Sequence, residues 1–278
     1  MTAPECKGKR AVTGSGSGTV DVHLDEREAG VIATLTLDNP RRLNAMSSAL
    51  MDALIDAFRR LSENERLRAV VLTGAGDKAF TAGADINEMA KIENPTQARA
   101  FITRLHHCCD AIRHLPVPVI ARIHGYCFGG GLELAAACDI RIADETARFG
   151  MQEVKIGIPS VIEAALFPTL VGWGRTREML YFGETFSAAE ALSWRLVERV
   201  VPAAALNDEV ENFLRKLLTS APRAVRLQKK LIRQWEDLPL SAAVAAGIDA
   251  FAEAYKSDEP VVAMRDFLAA QKARKQRR

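Results

Sequence analysis

Two glutamates sit in backbone contexts suited to chemistry at a carbonyl. Glu133 closes the run Gly129-Gly130-Gly131-Leu132-Glu133, and Glu153 ends Phe149-Gly150-Met151-Gln152-Glu153. Upstream lies another small-residue turn, Phe80-Thr81-Ala82-Gly83-Ala84-Asp85-Ile86. Glycine lets backbone N–H groups approach a ligand closely. Two N–H groups aimed at one carbonyl oxygen make an oxyanion hole. Two neighbouring carboxylates then move protons as acid and base. These parts suit a reaction through the enolate of an activated carbonyl compound. Taken singly, each turn also reads as a plain strand-to-helix connection. Two such turns combined with two glutamates favour the chemical reading. A phosphate loop fits poorly, because no Lys-Ser/Thr follows the glycines.

These parts need a scaffold to position them. Val31, Ala33, Leu35 and Leu37 alternate with Ile32, Thr34 and Thr36 as in a strand, which Asn39-Pro40 ends. Leu50, Leu54, Ala57, Phe58 and Leu61 recur at helical spacing. Leu67 to Thr73 reads as a buried strand, Leu105 to Leu115 as helix, and Val119 to Ile123 as strand. A helix begins among the glycines and carries Leu132 to Ala137, and Ile140 to Ala143 is a further strand. Strands alternating with helices predict a parallel sheet with crossover helices. Helix-start capping boxes are predicted at Ser160-x-x-Glu163 and Ser187-x-x-Glu190. Helical segments follow at 206–219, 222–235, 241–255 and 258–274. The organisation is therefore a polar, glycine-rich flexible tail over 1–19, an α/β core over 20–205 and a helical region over 206–278.

Composition bounds the function classes. The chain has 278 residues, 48% hydrophobic and 26% charged, which is enough for a full core. A net charge of +2 does not imply nucleic-acid binding. Five cysteines without disulfide spacing point to a reducing compartment. No apolar run approaches the roughly 18–20 residues that span a bilayer, and no signal-peptide stretch is expected at the N-terminus. The expectation is a cytoplasmic protein. His106, His107, Cys108, Cys109 and Asp110 resemble a metal cluster only in composition: two ligands from one helical turn do not complete a zinc site. Gly74-Ala75-Gly76-x-x-Ala79 lacks the helix and ribose acid of a dinucleotide site. The basic stretch from Arg223 to Arg233 reads as a solvated helix face. Glu163 reads as the partner in its capping box rather than as a third catalytic carboxylate.

In order, the motifs Asn39-Pro40, Asn44-Ala45-Met46-Ser47, Phe80 to Ile86, His124 to Ala135, Cys138 to Ala143, Phe149-Gly150-x-x-Glu153, Gly183-Glu184-x-x-Ser187-Ala188-x-x-Ala191 and Leu196-Val197 resemble the crotonase superfamily, also called the enoyl-CoA hydratase/isomerase family. The resemblance covers roughly 20–274. It implies an α/β crotonase (ClpP/crotonase-like) spiral of β-β-α units, with a helical C-terminal region that packs homo-trimers or hexamers. It implies an oxyanion hole from the N–H groups of Ala84 and Gly130, with Glu133 as base and Glu153 as acid. Arg41, Ala45, Ala82, Asp85, Ile86 and Asn87 fall where the family contacts CoA. Asn87 stands where hydratases often carry lysine. Phe267 matches an aromatic that reaches a neighbour's CoA, with Lys272 close in sequence. Val161 and Ile162 replace glycines near the expected acyl pocket and are expected to reshape it.

The implied reaction adds water across a 2-enoyl-CoA. No metal or redox cofactor is implied, since CoA arrives with the substrate. An enoyl-CoA isomerase, or another enzyme working through a CoA enolate, is the nearest alternative. An RNA-binding relative is the alternative outside enzymes.

Overall fold

The computed structural model describes residues 10–12 and 18–276. The elements are β1 (Arg10–Val12), β2 (Thr19–Arg27), β3 (Gly30–Asp38), α1 (Ser48–Ser62), β4 (Leu67–Gly74), β5 (Ala79–Thr81), α2 (Ile86–Met89), α3 (Pro95–His114), β6 (Val119–Ile123), β7 (Tyr126–Phe128), α4 (Gly130–Ala137), β8 (Ile140–Asp144) and β9 (Arg148–Gly150). There follow α5 (Phe167–Phe182), β10 (Thr185–Ser187), α6 (Ala188–Ser193), β11 (Arg199–Val201), α7 (Leu206–Leu218), α8 (Pro222–Asp237), α9 (Leu240–Ala254) and α10 (Glu259–Gln276). Short 3-10 turns occupy Pro40–Arg42, Glu153–Ile156 and Ile162–Leu166.

Two sheets share the α/β part. The larger has the order β1-β2-β3-β4-β6-β8-β11, antiparallel over its first two pairings and parallel from β3 onward. The smaller has the order β10-β9-β7-β5, made of three-residue strands. Three of the parallel strands of the large sheet are each followed by one of the small sheet: β4 by β5, β6 by β7, β8 by β9. That is the β-β-α repeat implied by the resemblance. The second sheet was not predicted from hydrophobic pattern.

Burial explains the sequence of the central strands. β4 is buried along its whole length, so it reads as a continuous apolar run, as parallel strands covered on both faces do. α1 turns Leu50, Leu54, Phe58 and Leu61 into the core. Ser47 caps it by accepting from Leu50 N–H at 3.2 Å.

Within the predicted tail, Arg10–Val12 pairs antiparallel with β2, whereas residues 1–9 and 13–17 lie outside the described residues. The four described cysteines, Cys108, Cys109, Cys127 and Cys138, are buried free thiols. The capping box at Ser187–Glu190 forms as predicted.

Contacts divide the chain into two units, Met1–Leu214 and Arg215–Arg278, so the division falls inside α7. In the second unit Glu259 caps the N-terminus of α8, accepting from Arg223 and Ala224 N–H at 3.0 and 2.9 Å. The basic stretch there is not the solvated face expected. Lys229 is only 5% exposed, and Arg223 Nη2 donates to Glu253 at 3.1 Å. No described helix is long and apolar enough to cross a membrane.

Candidate active site

The Ala82–Asp85 turn is pinned by the segment after β3. Leu43 and Asn44 both take positive φ, 52° and 56°. Asparagine tolerates this left-handed conformation better than most residues. The buried Asn44 side chain donates to Ala75 O and Ala79 O at 2.9 and 2.8 Å and accepts from Asn39 N–H at 3.0 Å. Thr81 Oγ1 donates to Asn44 O at 2.8 Å and accepts from Gly83 N–H at 3.1 Å. Met46 N–H donates to Gly83 O at 2.7 Å, and Asp85 N–H to Met46 O at 3.0 Å. The intervening Ala84 N–H has no acceptor among the described residues.

The head of α4 lies against this turn. Gly129, at φ 51°, donates to Gly150 O at 2.8 Å, and its carbonyl accepts from Leu132 and Glu133 N–H at 2.8 and 3.1 Å. The Gly130 N–H, an orphan of the first helical turn, has no acceptor among the described residues. A Cβ on Gly83 would stand 2.6 Å from Phe128 O and 3.1 Å from Gly130 N. A Cβ on Gly131 would stand 2.8 Å from Thr81 O. Side chains at either position would push the two backbones apart. At the other end of α4, the buried Arg141 donates to Cys138 O at 2.7 Å, placing a cation on the helix C-terminus.

At Gly130 glycine is required by space rather than by conformation. Its φ is not positive, and a Cβ there would meet Leu105 Cδ2 of α3 at 2.5 Å. The positive φ belongs to Gly129. The Cβ direction of Gly130 points toward packing with α3, so a bulky substitution strikes the core first.

Glu133 and Glu153 face one another electrostatically. Glu133 is 2% exposed and accepts from Ala164 N–H at 3.1 Å. Burial, and next the negative charge of Glu153, push its carboxyl up to about 9. Glu153 is half-buried at the start of its 3-10 turn, and Ser160 Oγ donates to its Oε2 at 3.0 Å. Burial raises its pKa as well, while its own backbone N–H and Ser160 oppose the rise. A Cβ on Gly129 would lie 2.6 Å from Glu153 Oε1, which places this carboxylate against the head of α4.

The segment 160–164 corrects the sequence reading. Ser160 does not cap a helix, because its hydroxyl is committed to Glu153. The 3-10 turn that follows begins after Val161, without a side-chain cap. Glu163 is 7% exposed and accepts from His106 Nδ1 at 2.9 Å. This pair was not read from the sequence, because its members lie 57 residues apart. Val161 is 40% exposed. Ile162 packs against the core with φ 43°, a conformation that strains a β-branched residue.

Among the residues aligned with CoA contacts, Asp85 has its side chain occupied. It caps α2 by accepting from Asn87 N–H at 2.8 Å, and it pairs with Arg42 Nη1 at 2.8 Å. Asn87 Nδ2 donates to the same carboxylate at 3.0 Å. Arg41, Ile86 and Asn87 are exposed, and Ala45 and Ala82 are half-buried. Phe267 and Lys272 are exposed on α10, in the second unit. The Gly74–Ala79 segment leads into β5 rather than a helix, unlike a dinucleotide loop. No group of three or more metal-ligating side chains occurs among the described residues.

A spiral of β-β-α units carrying two free backbone N–H groups and a buried and a half-buried glutamate is the crotonase fold. A solved enoyl-CoA hydratase from Mycobacterium smegmatis superposes with a TM-score of 0.85 at 34% identity, over 90% of this chain and 96% of that one. The short-chain-enoyl-CoA hydratase of Clostridium acetobutylicum is 34% identical, covering 87% of this chain and 93% of that protein. The crotonyl-CoA hydratase of Syntrophomonas wolfei is 32% identical over the same shares. The family model for enoyl-CoA hydratase/isomerase matches residues 26–276. The chain belongs to the enoyl-CoA hydratase/isomerase family.

Proposed function

We infer that the protein is an enoyl-CoA hydratase that adds water to a 2-enoyl-CoA and forms 3-hydroxyacyl-CoA. The observation that carries this reading is the coupled pair Glu133–Glu153 beside the N–H groups of Ala84 and Gly130. Attack of water oxygen at C3 moves the C2=C3 electrons onto the thioester oxygen. Two N–H donors there stabilise the enolate, and loss of one such donor costs about 3–4 kcal/mol in related chemistry. One carboxylate takes a proton from the water, and the other glutamate delivers its proton to C2. The atoms of one water are thereby added, and the pair ends with the same number of protons.

The resemblance makes Glu133 the base and Glu153 the acid. In the free site, deeper burial favours the proton on Glu133, and the Ser160 hydroxyl favours ionised Glu153. We therefore treat the pair as one unit that holds a single proton, which relocates when water and thioester enter. CoA enters with the substrate, and the chemistry calls for no resident cofactor. Arg41, Ala45, Ala82, Asp85, Ile86 and Asn87 are the proposed CoA-facing set. Phe267 and Lys272 are proposed to serve CoA in an oligomer. Exposed Val244, Ile248 and Phe251 on α9 support a subunit contact, in trimers or hexamers, of a cytoplasmic protein.

The test is hydration of crotonyl-CoA by the wild type and by Glu133→Gln and Glu153→Gln. Each substitution is expected to lower kcat by at least about 10²-fold while CoA binding changes little. Hydration near the wild-type rate in either variant removes that residue from the mechanism. Wild-type turnover of a 3-enoyl thioester without hydration of the 2-enoyl isomer would assign an isomerase instead.

A further inference from the structure

The turn beside the glutamate pair carries a third buried carboxylate that the reaction above does not use. Glu163 Oε1 accepts from His106 Nδ1 at 2.9 Å, and its Oε2 is buried with no hydrogen-bond partner among the described residues. A carboxylate only accepts, so this bond calls for the His106 tautomer that carries its proton on Nδ1. The next residue, Ala164, donates its N–H to Glu133 Oε1 at 3.1 Å. Three residues earlier, Ser160 donates to Glu153 Oε2 at 3.0 Å. One five-residue segment thus touches both members of the pair, and its ties to α3 run through Glu163, to His106 and to the Cys109 thiol. The segment needs such a tie, because Ile162 holds it in a strained conformation at φ 43°.

We propose that Glu163, held by His106, is a positioning residue for Glu133. It fixes the turn that presents the Ala164 N–H, and its negative charge helps the Glu133–Glu153 pair keep its proton. This inference rests on the hydratase reading. The groups facing Glu163 are few. From α3 come His106 and the thiols of Cys108 and Cys109, both pushed up by burial and so neutral. Glu133 comes from α4. The beginning of α5, Phe167 to Trp173, has no titratable side chain. Glu153, on the preceding 3-10 turn, is the other charge felt by Glu133. Burial and Glu153 contribute most to the upward shift of Glu133, and Glu163 adds to it in the same direction.

The pH profile of kcat/KM on crotonyl-CoA separates this role from a merely structural one. Glu163→Gln keeps an acceptor for His106 and removes the charge. Its high-pH limb is expected to move about one unit toward lower pH. Glu163→Ala removes the tie and is expected to lower kcat about tenfold or more, with KM little changed. His106→Ala leaves the Glu163 charge without its donor and is expected to move the high-pH limb the other way. A Glu163→Gln profile that superposes on the wild type, or a Glu163→Ala variant with wild-type kcat, overturns the proposal. Carbon-13 NMR titration of the Glu133 carboxyl in wild type and Glu163→Gln reads the same shift without turnover. If the wild type fails to hydrate crotonyl-CoA, the hydratase reading fails, while the titration still decides this one.

Discussion

The Cβ position of Gly129 and Oε1 of Glu153 occupy nearly the same space, 2.6 Å apart. Gly129 also has φ 51°. Gly129→Ala therefore adds a methyl group where the carboxylate lies and forces alanine to φ 51° and ψ −128°, a region that side chains rarely adopt. The conformational part alone costs about 1–3 kcal/mol. Displacement of Glu153 is expected to lower kcat by at least about 10²-fold, as removal of an acid–base group does. Thermal unfolding and the hydration rate read the two effects separately. A variant with a lowered Tm and wild-type kcat would show that Glu153 has room to move without loss.

Stability should depend on pH through Glu133. Its carboxyl is pushed up to about 9 in the fold, from an ordinary value near 4.5. A folded-state pKa above the unfolded one contributes stability that is fully present below about pH 4.5 and is lost as pH rises through about 9. Glu133→Gln is neutral throughout. Its Tm relative to wild type should therefore improve steadily from pH 5 to pH 9. A constant difference across that range would show that the folded site does not resist ionisation of Glu133.

Much of the scaffold was legible because burial leaves a pattern. The strand Val119–Ile123 appears with the bounds read from its apolar run, and α4 begins among the glycines as expected. The three-residue strands β5, β7, β9 and β10 were missed, since a strand that short has too few positions to show alternation. The first half of α3 was also missed. Pro95 to Ala100 are exposed, so no apolar stripe marks them. At Ser160 a correct local pattern failed because a distant acceptor, Glu153, competes for the hydroxyl. The glutamate pair was legible from its glycine contexts. The Asn44 side chain that braces the Ala82–Asp85 turn, and the His106–Glu163 bond, depend on contacts across 31 to 57 residues that no short motif encodes.

Chain-length preference should respond to Ile162. Replacing it with glycine relieves φ 43°, a strain of about 1–2 kcal/mol. The lost apolar contact of this half-buried side chain costs about as much, so Tm should change little. A helix starting at Ser160 would make glycine costly at this position, but at a positive φ that cost does not apply. If Ile162 bounds the acyl group, wild-type kcat/KM falls beyond medium chain length and Ile162→Gly extends the range. Activity assays with CoA thioesters of four to twelve carbons measure this. An unchanged preference in the variant would place the chain-length limit elsewhere.

The glycines at 83 and 131 let two stretches of main chain touch with no side chain between them. The electrophile-activating part of the site is thus written in backbone, and almost any substitution there is excluded by contact. At Val161 and Ile162 the 160–164 segment offers side chains instead, bonded to neither glutamate, and these can be exchanged. Selection acting on this protein therefore has a rigid catalytic grammar and an editable vocabulary. Libraries meant to broaden its substrates belong in the second and have little to find in the first.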